Sequence, residues 1–342
     1  MATAAMNQVF VIAEAGVNHN GDVELALALC DAARAAGADA VKFQSFRAQD
    51  LVVADAPTAQ YQQKNTGATS QFAMLQALEL SEDAHQQIAA HCAQIGIEFF
   101  STPFSLNALA MLVNLGVKRL KLSSAELTHP QLIQAAARTN LPLILSTGMG
   151  NLAEVEAAAD WFKAARGNLR GLSLLHCTSA YPAAPETLNL RAMQTLAANF
   201  QVPVGYSDHS IGAEASVVAV ALGASFIEKH ITLDKKMPGP DHSASMEPGE
   251  FAGMVASIRR VQTMLGDGVK APNPAERDTA KVARRSVVLA REVPAGQALS
   301  GGDLALRRPA TGIEPVHESA LLGRCLVANG KPGQVLQWAD LA

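Results

Sequence analysis

Two lysines, two histidines and a scatter of serines fall where apolar segments end, and their types limit the chemistry open to this chain. Lys42 lies at the end of AVKFQ and Lys121 at the end of KRLKLS. An ammonium in such a place is a phosphate or carboxylate anchor, a Schiff-base nucleophile, or the ion-pair partner of a nearby acid. Ser124, Ser146, Ser179 and Ser207 stand at comparable ends. They favour the anchor, because hydroxyl and ammonium groups together satisfy phosphate oxygens. The plain alternative is a Lys42–Glu14 or Lys121–Glu126 ion pair with no ligand. His209 and His230 close neighbouring segments and could converge on one metal ion with open positions. Mn²⁺ or Mg²⁺ would suit an oxygen-rich substrate; on spacing alone, both rings could equally be structural. Glu126 shares a face with Ser124 if the strand continues, and could serve as general acid or base, or simply hold Lys121. The stiff loop MPGPDH, residues 237–242, carries Asp241 and reads as a substrate-positioning loop or a plain turn.

These residues are spaced by one repeating unit: a short apolar run, a polar cluster, then an amphipathic helix. Runs starting at Val9, Ala38, Ile97, Lys118, Pro142, Leu172, Pro203 and Ser225 predict eight strands. Near-continuous apolar character predicts a sheet covered on both faces. Ser81, Pro130, Asn151 with Glu154, and Glu247 with Pro248 mark helix starts. A polar insertion at residues 47–71 delays the helix after the second strand. Strand and helix in alternation imply parallel strands and right-handed crossovers, and eight units imply a (β/α)8 TIM barrel. The first strand ends in EAGVNH, without the G-x-G-x-x-G spacing of a dinucleotide fold. In such a barrel the carboxyl ends of the strands carry the active site. Residues 1–270 are therefore expected to form the catalytic barrel, residues 271–284 a charged, Pro-rich linker, and residues 285–342 a small strand-rich domain.

Composition narrows the partners. The 342 residues are 49% hydrophobic and carry a net charge of −4 with no basic patch, so no nucleic acid is expected. No apolar run is long enough to span a membrane and no signal peptide is visible, which predicts a cytoplasmic protein. Cys30, Cys92, Cys177 and Cys325 form no C-x-x-C pair and read as reduced thiols.

The stretches IAEAGVNHNGD, AVKFQSF, YQQKNTG, FFSTPF, KLSSAEL, ILSTGM, LHCTSAYPAAPETLNLRAM, GYSDHS, FIEKHITLD and PGPDHSASMEP resemble the sialic acid synthase family almost end to end. The tail ARRSVVLAREVPAGQALSGGDLALRRPATGI resembles that family's antifreeze-like SAF domain, a small β-clip. The resemblance implies a metal-dependent, domain-swapped homodimer that condenses phosphoenolpyruvate (PEP) with an N-acetylated amino sugar. It implies His209 and His230 as metal ligands, and Lys42, Lys121, Ser124, Ser146 and Ser207 as PEP contacts. Ser179 stands where some members have Asn, beside the phosphate. Glu126 is implied near the reacting carbons, and Tyr181 and Gln44 in the substrate pocket. Glu14 and Asp241 are implied as sugar-contacting acids, and Arg308 as a residue reaching from the tail into a second copy's site. Open-chain N-acetylmannosamine is the first expected acceptor, giving N-acetylneuraminate and phosphate. The alternative acceptor is 2,4-diacetamido-2,4,6-trideoxymannose, giving N,N'-diacetyllegionaminate. A Schiff-base aldolase with Lys121 as nucleophile and a non-catalytic sugar-binding protein are more distant readings.

Overall fold

The computed structural model describes residues 8–58, 63 and 65–342. The chain divides into two compact units, Met1–Asp267 and Gly268–Ala342, each taken by itself below. Among the described residues no helix is long and apolar enough to cross a membrane.

The first unit is a barrel of parallel strands: β1 Phe10–Gly16, β2 Ala40–Ser45, β3 Glu98–Pro103, β4 Leu120–Leu122, β5 Leu143–Ser146, β6 Leu172–Cys177, β7 Val204–Asp208 and β8 Phe226–His230. The ladder runs β3-β2-β1-β8-β7-β6-β5-β4, and β3 lies beside β4 without a ladder between them, so the barrel is nearly closed. Every expected strand is present, within two residues of its expected start. Helices begin where the chain supplies caps. The Ser81 hydroxyl accepts from the Ala84 amide at 3.1 Å, and Asn151 and Glu154 form a reciprocal box.

Strand alternation sorts the side chains into two cores. Val11, Val41, Leu120, Leu145, Leu174 and Ile227 point outwards onto the helices. Ile12, Ala40, Phe100, Ile144 and Leu175 point inwards and fill the barrel, with Phe10 and Phe226 below them. Beneath, the Arg119 guanidinium lies 4.1 Å from the Phe10 ring centroid and pairs with Glu98 at 2.5 Å. The barrel is therefore a packed plug at one end, and chemistry is confined to the other.

Gly205 of β7 marks how tightly that plug is filled. A methyl group there would lie 2.5 Å from the Phe226 carbonyl oxygen and 2.7 Å from Leu175 Cδ2. Gly205→Ala is expected to destabilise the barrel by about 1–3 kcal/mol through overpacking. An unchanged denaturant midpoint in that variant would show the interior to be looser than described.

The insertion after β2 holds the short helices Ala48–Leu51 and Gln71–Ala77 before the crossover helix Glu82–Ile95. Of the YQQKNTG stretch in this insertion, Tyr61, Gln62 and Lys64 lie outside the described residues.

In the second unit, β9 Ser286–Leu289 pairs antiparallel with β10 Leu304–Arg307. Isolated bridges such as Val293–Gly330 and Ala298–Cys325 link the remaining short segments. The core is small, built from Val287, Leu289, Leu299, Leu304, Leu321 and Leu336 among others. The segment expected as a linker is not irregular throughout. Asn273 and Glu276 form a capping box that leads into the helix Arg277–Ala283, which buries no residue.

Candidate active site

Above the apolar plug, the next inward layer is polar. Strand alternation carries Ile12 to Glu14, Ala40 to Lys42, Phe100 to Thr102, Ile144 to Ser146, Leu175 to Cys177 and Phe226 to Glu228, each two residues on. They open into a cavity of about 530 Å³, which is also lined by Gln44, Lys121, Ser124, Ser179, Tyr181, Ser207, His209, His230 and Asp241. Register explains the assembly: Glu14 lies across from Lys42 on one side and His230 on the other, and Ser207 lies across from both Cys177 and Glu228.

The charges at the floor form one network. Lys42 Nζ lies 2.5 Å from Glu14 and 3.8 Å from Glu228, and donates to Thr102 at 3.2 Å. Lys121 Nζ lies 3.3 Å from Glu228, whose other neighbour is the Ser207 hydroxyl, donating at 2.9 Å. The pairing foreseen for Lys42 is present, but Lys121 pairs with Glu228 and not with Glu126. Burial acts to raise the Glu228 carboxyl, yet the Lys121 and Lys42 ammonium groups outweigh it and hold it down at about 2. Burial pushes Glu14 up to about 7, despite the opposing Lys42 charge, with Glu228 adding to the rise. Burial also lowers Lys121, only partly offset by Glu228. For Lys42 burial is overcome by Glu14 and Glu228, and the group stays above its ordinary value. An incoming anion thus meets two buried cations already held in place.

Beside them is a cradle of small groups. The Gly148 amide donates to the Ser124 hydroxyl at 2.9 Å, and the Cys177 thiol lies 3.4 Å from Ser124 and 3.8 Å from Ser179. A Cβ on Gly148 would come within 2.9 Å of all three side chains, so only glycine leaves this space open. Among the described residues the buried Ser146 hydroxyl has no hydrogen-bond partner. Such an orphan facing a cavity is what a ligand contact looks like before the ligand arrives.

The imidazoles stand next to this cradle, His209 within hydrogen-bonding reach of Cys177. The His209 and His230 ring centroids are 5.5 Å apart, and Tyr181 packs on His209 at 4.2 Å. His209 Nδ1 is 2.8 Å from the Thr178 carbonyl oxygen, which accepts its proton and leaves Nε2 with a lone pair. His230 Nδ1 is buried without a hydrogen-bond partner among the described residues, with the Asp241 carboxylate 3.9 Å away. Burial holds His230 well below its ordinary range, helped by His209 and Lys42, while it pushes Asp241 up to about 6. Burial acts to lower His209 too, but its hydrogen bond with the Cys177 thiol and the charge there outweigh it and hold the ring above its ordinary value. Among the described residues no three His, Cys, Asp or Glu groups form a ready metal cage. Two imidazoles, one with an orphaned nitrogen, nevertheless fit a divalent cation that keeps most of its positions for other ligands.

One expected residue lies off the cavity wall, and another belongs to the tail. Glu126 is not on the cavity wall, and its carboxylate meets His129 Nδ1 at 2.5 Å. β4 ends at Leu122 and residues Ser124–Thr128 form a 3-10 turn, so the strand rule that would align Ser124 with Glu126 does not apply. Arg308 belongs to the second unit, where it is exposed just after β10. Glu228 and Cys177 were missing from the expected set. Glu228 could have been found by counting two residues back from His230, and Cys177 by counting two on from Leu175, each along one strand face.

The NeuB family pattern matches residues 29–270 and the SAF domain pattern matches residues 284–342. The chain is similar to the N,N'-diacetyllegionaminic acid synthase of Legionella pneumophila, 49% identical over 97% of this chain and 94% of that one. It is similar to the synthase of the same name from Campylobacter jejuni, 42% identical over 97% of this chain and 100% of the other. Among solved structures it is similar to the N-acetylneuraminic acid synthetase of Leptospira borgpetersenii, at 36% identity and a TM-score of 0.70. That match covers 80% of this chain and 90% of that one.

Proposed function

The chain belongs to the NeuB family and is an enzyme of the sialic-acid-synthase type, and from that footing we propose that it condenses PEP with 2,4-diacetamido-2,4,6-trideoxymannose to give N,N'-diacetyllegionaminate and phosphate. Expectation from sequence placed N-acetylmannosamine first. The order is reversed here because the relatives at 49% and 42% identity are both diacetyllegionaminic acid synthases. The observation that carries the reading is one cavity in which Lys42, Lys121 and the unpartnered Ser146 hydroxyl face the His209–His230 pair.

PEP would enter with its phosphate and carboxylate on Lys42, Lys121, Ser146, Ser207 and the Ser124–Ser179 cradle. The ammonium groups then exchange part of their contact with Glu14 and Glu228 for the ligand's oxygens. His209 and His230 would hold a divalent cation, Mn²⁺ or Mg²⁺, which when bound supplies Lewis-acid polarisation of the acceptor's aldehyde oxygen. Gln44, Tyr181, Glu14 and Asp241 would orient the open-chain sugar so that its aldehyde carbon faces PEP C3. C3 forms the new C–C bond and the aldehyde oxygen becomes a hydroxyl. Water adds to the electron-poor C2 and gives up a proton. The tetrahedral centre then expels phosphate by cleavage of its C2–O bond. Glu14 and Glu228 are carboxylates on the cavity wall able to take that proton, whereas Glu126 would have to act from behind it. The division into residues 1–270, 271–284 and 285–342 belongs to the same proposal, as does a homodimer in which Arg308 comes from a second copy.

The test is phosphate release from PEP with Mn²⁺ and either sugar, run beside a chelator control. Release that needs metal and favours the trideoxy sugar is expected, with Arg308→Ala raising the KM for sugar but not for PEP. No release with either sugar, from folded protein that binds metal, would return the Schiff-base or sugar-binding readings.

A further inference from the structure

The cavity has a second face with a different chemistry. Away from the lysines, its wall is made by Val17, Leu51, Met74, Leu75, Leu78 and Phe104. Val17, Met74 and Leu78 are buried and form a small separate core with Phe46, onto which Leu51, Leu75 and Phe104 pack. Met74 and Leu75 come from the helix Gln71–Ala77, so the wall is supplied largely by the insertion after β2 and not by the barrel strands. Gln71 and Gln44 also line the cavity, and Gln44 donates to Glu14 at 3.2 Å. A polyhydroxylated chain laid on this face would lose water from its hydroxyls with few groups to replace it. A methyl group would fit without that loss.

We propose that this apolar face is the specificity element of the site, and that it receives the deoxygenated end of the acceptor, with the C6 methyl group seated against Met74, Leu75 and Leu78. The inference rests on the proposed condensation. It adds that the enzyme selects for the missing 6-hydroxyl itself, whatever substituent is carried at C4. Apolar pockets reject an added hydroxyl only moderately, so the preference is bounded at about tenfold to hundredfold in kcat/KM.

The experiment compares N-acetylmannosamine with 6-deoxy-N-acetylmannosamine, which differ only at C6, as acceptors for the wild-type enzyme with PEP and Mn²⁺. The 6-deoxy sugar is expected to have the higher kcat/KM, by about tenfold or more. Met74→Gln and the milder, half-buried Leu75→Gln are then measured with both sugars, with the KM for PEP and the melting temperature as controls for folding. Each variant should bring the ratio of the two sugars towards one while the KM for PEP holds. Equal kcat/KM for the two sugars in the wild type would overturn the proposal without any variant. So would a fall in both sugars by the same factor in variants that melt normally. Failure of the underlying condensation would look different, as absence of phosphate release with every sugar. A preference for the 6-deoxy sugar over its hydroxylated counterpart would support this inference even if the diacetamido sugar proved a poor acceptor.

Discussion

His209→Ala is expected to lower kcat/KM by roughly 10³-fold and to abolish the response to added Mn²⁺ together with it. The reasoning starts from the ring's fixed orientation. Its Nδ1 is 2.8 Å from the Thr178 carbonyl, so Nε2 is held ready and costs little to order when a ligand arrives. Removing one of two imidazoles leaves His230 with only a carboxylate 3.9 Å away, and such a remnant cannot keep a cation in place. Loss of Lewis-acid polarisation is worth several kcal/mol of transition-state stabilisation, which converts to roughly 10³-fold in rate. The binding of Mn²⁺, read directly by calorimetry or by its paramagnetic signal, should fall in the same variant. If the alanine variant kept metal-stimulated turnover, or bound Mn²⁺ as the wild type does, the histidine pair would be structural.

The second large effect concerns Lys42. Lys42→Met keeps the length of the side chain and removes its charge. PEP should lose one buried charge-assisted contact, raising its KM by roughly 10- to 100-fold, while the KM for the sugar changes much less. The variant also leaves Glu14 without its ion-pair partner, while Glu228 keeps Lys121 3.3 Å away. Glu14, already pushed up to about 7, has the lower cost of taking a proton and should do so across the neutral range. The barrel should therefore survive the change, because a protonated acid is far cheaper to bury than an unpaired charge. An unchanged KM for PEP would mean that Lys42 serves only its ion pair with Glu14, the plain alternative recognised from the sequence.

The same competition explains why the lysines are not simply open anchors. In the free protein each is matched by a carboxylate, so the floor is close to neutral when empty and does not attract stray water or anions strongly. The ligand's negative charge is met by a rearrangement of contacts among Lys42, Lys121, Glu14 and Glu228, and not by cations exposed in advance.

By itself, the sequence determined the barrel and most of the ring of functional groups. Eight near-continuous apolar runs and strong helix caps are local signals, and each strand end could be read from the residue at which the run stops. Lys42, Lys121, Ser146, Ser207, His209 and His230 all lie where that reading put them, on the wall of one cavity. Only the tertiary structure decided which of them touch. Lys121 could have taken Glu126 by nearness in the chain. It takes Glu228, 107 positions away, because β4 and β8 face each other across the barrel while the chain after β4 tightens into a 3-10 turn. The apolar face was equally hidden, since nothing in the local pattern sets Met74 and Leu78 apart from other apolar helix residues. Their role depends on where that insertion folds back over the strand ends, and pairing across the barrel or folding of a loop onto it leaves no trace in local periodicity.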